Sequence, residues 1–330
     1  MLPLLVGGQN AQNSRLSGTG QLILRVLAND TVTPAVVLIG GATITPQWYW
    51  SDGTSFSGLD GFGGAGKVVT TGMTVTLDTQ GHPEEIQQIV LTGDPFGFDL
   101  SALASFTGLT VLAASAEANA VYTGGLSDLP ASVTNLNLNT TGSTITGTLA
   151  DLPAGAVNIK LYTTSSVITG SLADLPTTMT TLFLQATASS ITGSIAGLPA
   201  GMTDLRLYST TSTITGSLSD LPVGMIVFLV FSTTSTVTGG GTPVPALGLN
   251  DVSLLSTTMT EAQVDSICLR IYTDRAIFTD ASPALNIGGT NPNPSGVYQD
   301  DATPSTGLEY VYKIVVDPDA EGFNAWTVTY

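Results

Sequence analysis

"ITGSLADLP" at residues 168–176 recurs as "ITGSIAGLP" at 191–199 and as "ITGSLSDLP" at 214–222. The interval is 23 residues each time. Glycines at 124, 147, 170, 193, 216 and 239 keep the same step, as do Leu-Pro pairs beginning at 129, 152, 175, 198 and 221. A strict period of this length marks a solenoid, in which a short unit buries its apolar side only by stacking on its neighbours.

Between each Leu-Pro and the next glycine lies an alternating triplet: Leu136-Asn137-Leu138, Ile159-Lys160-Leu161, Leu182-Phe183-Leu184, Leu205-Arg206-Leu207 and Phe228-Leu229-Val230. Period-two alternation predicts a short strand with one buried face. Ile89/Leu91, Leu112/Ala114 and Val252/Leu254 extend the ladder at steps of 23 or 24, which makes about eight turns over residues 86–256. Each turn is expected to hold one strand, a Thr/Ser-rich bend, a buried Ile or Val before Thr-Gly, and a Leu-Pro return. The quoted phrase is then the non-strand part of the turn. Strands stacked ~4.8 Å apart give one parallel sheet on the order of 35–40 Å long, with two edges that need cover.

"MTDLRLYSTTSTITGSLSDLP" (202–222) resembles leucine-rich repeat proteins. Their pattern LxxLxLxxNxLxGxIPxxL is followed by Leu205, Leu207, Ile214, Gly216, Leu218 and Leu221. The resemblance covers about half the chain. It departs at the asparagine position, where this sequence has Thr or Ser in runs such as "TTSST". Hydroxyls must then satisfy the backbone groups that asparagine serves in the family, as a threonine-rich ladder.

The 330 residues carry 8 Lys+Arg against 25 Asp+Glu, a net charge of −17, yet only 10% are charged. Such a chain lacks the clustered cations that phosphate backbones and anionic lipids require, which argues against nucleic-acid and membrane-surface partners. No apolar run reaches 18 residues, so membrane insertion is not expected. The start "MLPLLVGGQNAQNSRLSG" has no basic region before its apolar stretch and is not read as a signal peptide. The single Cys268 excludes an intrachain disulfide.

The two ends depart from the period. Residues 1–17 read as an extended arm. In 18–78, "GQLILRVLAND", "AVVLIGGATITPQWYWSDG" and "KVVTTGMTVTLDT" read as antiparallel strands of a small β module suited to attachment. The solenoid is assigned to 79–256 and a C-terminal cap to 257–330. In that cap "TTMTEAQVDSICLRIYT" predicts one helix, with Thr258 and Glu261 at capping-box spacing and Val264, Ile267, Cys268 and Ile271 on one face. "ALNIGGTNPNPSG" and the closing "WTVTY" resemble the C-terminal caps of repeat proteins carried by bacteriophage virions and by surface proteins of Bacteroidetes-type bacteria.

Chemistry-bearing motifs are sparse. "GFGGAGK" (61–67) nears a phosphate loop but has Val68 where the magnesium-holding hydroxyl belongs. "DPDAEG" (317–322) opens like a calcium loop but reaches Val328 where a bidentate acid is needed. Asp300-Asp301 reads as another acidic turn, His82 is the sole histidine, and Cys268 lies on an apolar helix face. No catalytic, cofactor-binding or metal residues are assigned, and an enzyme is not expected.

One stripe stands out. Tyr162, Phe183, Tyr208 and Phe231 recur on outward strand positions, interleaved with Lys160, Gln185, Asp204 and Arg206. In leucine-rich repeats these positions line the concave sheet face, and aromatic rings beside hydrogen-bonding groups suit glycan or protein contacts. Burial under a neighbouring copy or the chain's own loops accounts for the same stripe. The expectation is a non-enzymatic structural protein of a bacteriophage virion (capsid decoration, head fibre or tail component). Its partners would be other virion proteins or copies of itself, with host glycan or mucus as further ligands. The alternative is a bacterial cell-surface or secreted adhesin.

Overall fold

The computed structural model describes residues 21–27, 30–40, 42, 44–61, 66–91, 95–115, 120–140, 142–209, 211–232, 234–245, 248–255, 259–278, 282–316 and 325–330. The arm expected at 1–17 lies outside them. The chain is a mainly β, leucine-rich solenoid whose core lies between two 11-stranded sheets.

All eight strands anticipated from the Leu-x-Leu triplets are present: Ile86–Val90, Val111–Ser115, Asn135–Asn139, Asn158–Tyr162, Thr181–Gln185, Asp204–Tyr208, Val227–Phe231 and Asp251–Leu255. They pair in parallel and in register, Leu136 with Ile159, Ile159 with Leu182, Leu182 with Leu205. The cap extends this first sheet with two further parallel strands, Ala284–Asn286 and Thr327–Thr329.

The second sheet corrects the one-sheet expectation. The first four residues of the repeated phrase are strand, and only the remainder is a turn. Val121–Gly125, Thr144–Thr148, Val167–Ser171, Ser190–Ser194, Thr213–Ser217 and Thr236–Thr238 pair in parallel, each with the next. Each carries β-branched residues, with Ile145, Ile168, Ile191 or Ile214 turned inward and threonines turned out, which suits a half-buried pleat. Within one turn Leu182, Leu184, Ile191 and Ile195 are all at most 1% exposed. Each such side chain contributes about 1.5–3 kcal/mol through removal from water.

After each of the first five of these second-sheet strands comes a single 3₁₀ turn such as Leu172–Asp174, where Asp174 Oδ2 accepts the Ser171 amide at 2.9 Å. Asp128, Asp151 and Asp220 do the same at matching positions of their turns, while Gly197 occupies that position in the turn between Asp174 and Asp220. The glycine that opens the turn is obligatory on two counts. Gly170 has φ +118°, and a Cβ there would stand 3.0 Å from the Leu149 amide nitrogen of the preceding turn.

The hydroxyl ladder exists, and its buried rail is serine. Ser143, Ser166, Ser189, Ser212 and Ser235 accept the amides of Tyr122, Ile145, Ile168, Ile191 and Ile214 at 2.7–2.9 Å. All five serines are fully buried. A threonine rail runs elsewhere, with Thr134, Thr180 and Thr203 donating to the carbonyls of Thr110, Val157 and Thr180 at 3.1–3.2 Å. Serine serves in the interior because it brings the acceptor without a methyl group to accommodate.

At the N-terminal end the strands run antiparallel and continue both sheets. Gln21–Val26 lies between Thr74–Asp78 and Phe96–Asp99, and Gln47–Trp50 pairs with Thr74–Asp78 and Ser55–Ser57. Ala35–Leu38 pairs with Ile86–Val90 at the edge of the first sheet. Leu22, Leu24, Trp48 and Leu77 are completely buried and belong to the same hydrophobic core as the repeats.

At the other end the helix α1, Glu261–Asp274, closes the second sheet. Gly239 donates to Ser266 Oγ at 3.0 Å and Val244 to Asp274 Oδ2 at 2.7 Å. Val264, Ile267, Cys268 and Ile271 are buried as expected. The cap is not the expected Thr258–Glu261 pair, of which Thr258 lies outside the described residues. It is Thr260 with Gln263, whose amide donates to Thr260 Oγ1 at 3.3 Å while Gln263 Oε1 accepts the Thr260 amide at 2.7 Å.

A second helix, α2 (Gly307–Val315), corrects the one-helix cap. Its "EYVYKIV" is rich in β-branched and aromatic residues and reads as strand. Packing against α1 and the Thr306–Glu309 capping box, 3.0 Å from the Thr306 amide to Glu309 Oε2, decide otherwise.

Candidate functional site

The first sheet turns one side of every strand away from the core. Register sorts those outward residues into columns along the solenoid. One column runs Val90, Ala113, Asn137, Lys160, Phe183, Arg206, Leu229, Ser253. The next runs Asn139, Tyr162, Gln185, Tyr208, Phe231, Leu255. Seven of the eight residues of the sequence-predicted stripe therefore lie in two adjacent columns of one face, and the eighth, Asp204, lies in the column on the other side of Arg206.

The rings stack on one another. Tyr162 and Phe183 are nearly parallel with centroids 3.8 Å apart, Phe183 and Tyr208 are 5.3 Å apart, and Tyr208 and Phe231 are stacked at 4.4 Å. Phe183, between two tyrosines and with the Arg206 guanidinium 6.0 Å from its ring centre, is only 7% exposed. The aromatic surface is thus largely spent inside a ridge spanning four turns. Such offset stacking adds about 0.5–1.5 kcal/mol per pair beyond area burial and stiffens the face.

Arg206 is held by a two-point bridge to Asp204, Nε to Oδ1 at 2.8 Å and Nη2 to Oδ2 at 3.1 Å. That bond raises its already high pKa. Burial raises the pKa values of the Tyr162 and Tyr208 phenols, so both hydroxyls remain donors through the physiological range. Burial also raises that of Asp251, at the C-terminal side of the ridge.

On the N-terminal side the face changes character. Val111, Ala113, Asn135, Asn137, Asn158 and Lys160 line a shallow depression of about 90 Å³. The Asn158 Oδ1 atom is shielded and without a hydrogen-bond partner among the described residues. Sequence reading passed over these asparagines because they alternate with leucine and carry neither charge nor ring. Their one signal was repetition, Asn135, Asn137 and Asn139 on a single strand.

The remaining motifs are placed as follows. Lys67 Nζ contacts Asp52 Oδ2 at 2.5 Å and Thr54 Oγ1 at 2.8 Å, with Trp50 5.7 Å away, while residues 62–65 of the glycine-rich stretch lie outside the described residues. The stretch 317–322 also lies outside them. Asp300 pairs with Lys313 at 2.7 Å, and Asp301 accepts the Thr303 amide at 2.8 Å. His82 meets Glu84 at 3.1 Å on the exposed surface. Cys268 is buried, and burial pushes its thiol up to about 12.

No family model matches the chain, and no curated protein matches it. Among solved structures an internalin from Listeria monocytogenes str. 4b F2365, a crystal structure at 1.91 Å resolution, is similar at 14% identity. The match covers 64% of this chain and 77% of that chain with a TM-score of 0.30, too low to bear on the site.

Proposed function

We propose that the protein is a non-enzymatic recognition scaffold that engages its partner through the outward face of the first sheet. The observation that carries this reading is the continuous ridge Tyr162–Phe183–Tyr208–Phe231, with the bridged Arg206 set within it and the asparagine depression beside it. Side chains on paired strands are held in fixed register, so such a surface binds without first ordering itself, and the entropic cost of association is reduced. A structural component of a phage particle and a bacterial surface adhesin would both use the scaffold in this way. The sequence-based reading favours the particle.

Two measurements test the reading. Immunogold labelling with antibody to residues 79–256 should decorate phage particles from the source culture; bare particles beside decorated cells would replace the particle with the adhesin. Fluorescently labelled protein should bind host cells, and the paired substitution Lys160→Glu and Arg206→Glu should remove that binding. Val167→Lys, on the exposed second sheet, should leave it intact. Equal loss in both variants would overturn the assignment of the face.

A further inference from the structure

A stack of rings has two ends, and only an end ring offers a free face. Tyr162 is the N-terminal end of this one. Its near face is covered by Phe183 at 3.8 Å, and among the described residues no ring lies on the other. Because Phe183 belongs to the following turn, the uncovered face of Tyr162 looks back along the solenoid, toward its in-register neighbour Asn139 and the adjacent Asn137.

Tyr162 stands at the side of the depression rather than in its lining, one same-face position along the strand from Lys160, and the hydrogen-bonding capacity next to it is not used by the fold. Asn137 and Lys160 make no side-chain hydrogen bond or ion pair among the described residues, and both line the depression. Asn158, with its unpaired and shielded Oδ1, lies about 13 Å along the strand from Tyr162, at the far side of the depression. The floor is provided by Val111 and Ala113, small enough to leave about 90 Å³ open.

The geometry points to a carbohydrate subsite here: one neutral pyranose ring, its C–H face on Tyr162 and its hydroxyls on Asn137 and Lys160. This assignment rests on the recognition role proposed above and names its ligand. Two features select the class. A flat apolar surface beside amides that both donate and accept matches a sugar ring, which has an apolar face and a rim of hydroxyls. A single lysine on a chain of net charge −17 lacks the clustered cations that an anionic polysaccharide demands.

The test is a titration of the full chain with a panel of neutral mono- and oligosaccharides, read by saturation-transfer NMR, alongside sulfated and uronic-acid glycans. At least one neutral pyranoside should bind, with saturation transfer strongest to its axial C–H protons. Tyr162→Ala should weaken it about tenfold, the loss expected when a stacking face is removed. Asn137→Ala leaves the ring stack whole and should weaken binding about fivefold, the loss of a hydrogen bond worth about 1 kcal/mol. It carries the test if Tyr162→Ala proves unfolded by thermal melting.

Binding lost in Tyr208→Ala but kept in Tyr162→Ala and Asn137→Ala would overturn the subsite while leaving the face as the recognition surface. Binding confined to the acidic glycans, or to none, would overturn the neutral-sugar assignment. The cell-binding comparison of Lys160→Glu/Arg206→Glu with Val167→Lys would then decide separately whether the face binds anything.

Discussion

The side-chain hydroxyl of Ser166 accepts the backbone amide of Ile145 at 2.7 Å, across 21 residues of chain. The contact joins one turn to the next at a point fully buried from solvent, and it recurs at every full repeat. An amide that begins a second-sheet strand has no ladder partner in that position. Without the serine it would be buried unpaired.

Replacing Ser189 by alanine removes the acceptor of the Ile168 amide, which lies at 2.8 Å. The expected cost is about 1–3 kcal/mol, the penalty of a buried unsatisfied donor. Thr187→Ala, which removes an exposed hydroxyl bonded to the Thr164 carbonyl, should cost less than about 1 kcal/mol. Urea denaturation of the two variants measures the difference.

Two glycines of the same repeats should respond in opposite ways to alanine. Gly170→Ala places a Cβ 3.0 Å from the Leu149 nitrogen at φ +118°, with a destabilisation of about 1–3 kcal/mol from backbone strain alone. Gly201 has open space around it and no positive φ, so Gly201→Ala should be neutral or stabilising by up to about 1 kcal/mol. Thermal melts of both test the pair.

Hydrogen bonding to Lys67, reinforced by Thr54, lowers the Asp52 carboxyl from its ordinary 3.8 to about 2. A depressed folded pKa means that any stability from the pair is present above about pH 4. It is lost as the pH falls through 2. Carboxyl-carbon NMR should find Asp52 titrating near 2, and Lys67→Met should return it toward 3.8; an unchanged midpoint would show that the lysine is not the cause.

Cys268, buried on the core face of α1 with a thiol raised to about 12, should resist aromatic disulfide reagents at pH 8. Full reaction is expected only on addition of denaturant. Rapid labelling of the native protein would mean that the C-terminal cap opens readily.

The sequence alone determined the period, the eight first-sheet strands, the inward Leu and Ile residues and the outward column that holds Tyr162 and Phe231. Each follows from local alternation repeated at 23-residue steps, and repetition makes a weak local signal additive. Glycine placement was equally legible, since a turn at positive φ accepts little else.

What the tertiary structure decided depends on pairing between distant segments. "ITGS" is too short to declare itself a strand, and becomes one because it pairs with the matching segments on the turns before and after, staggered by two residues so that Gly170 lies opposite Ile191. "EYVYKIV" is helical because α1 offers it a surface. The antiparallel N-terminal strands join both sheets through partners about fifty residues away, such as Gln21 with Asp78. The free face of Tyr162 follows from the one-sided cover of Phe183, a contact between turns that no spacing in the chain discloses.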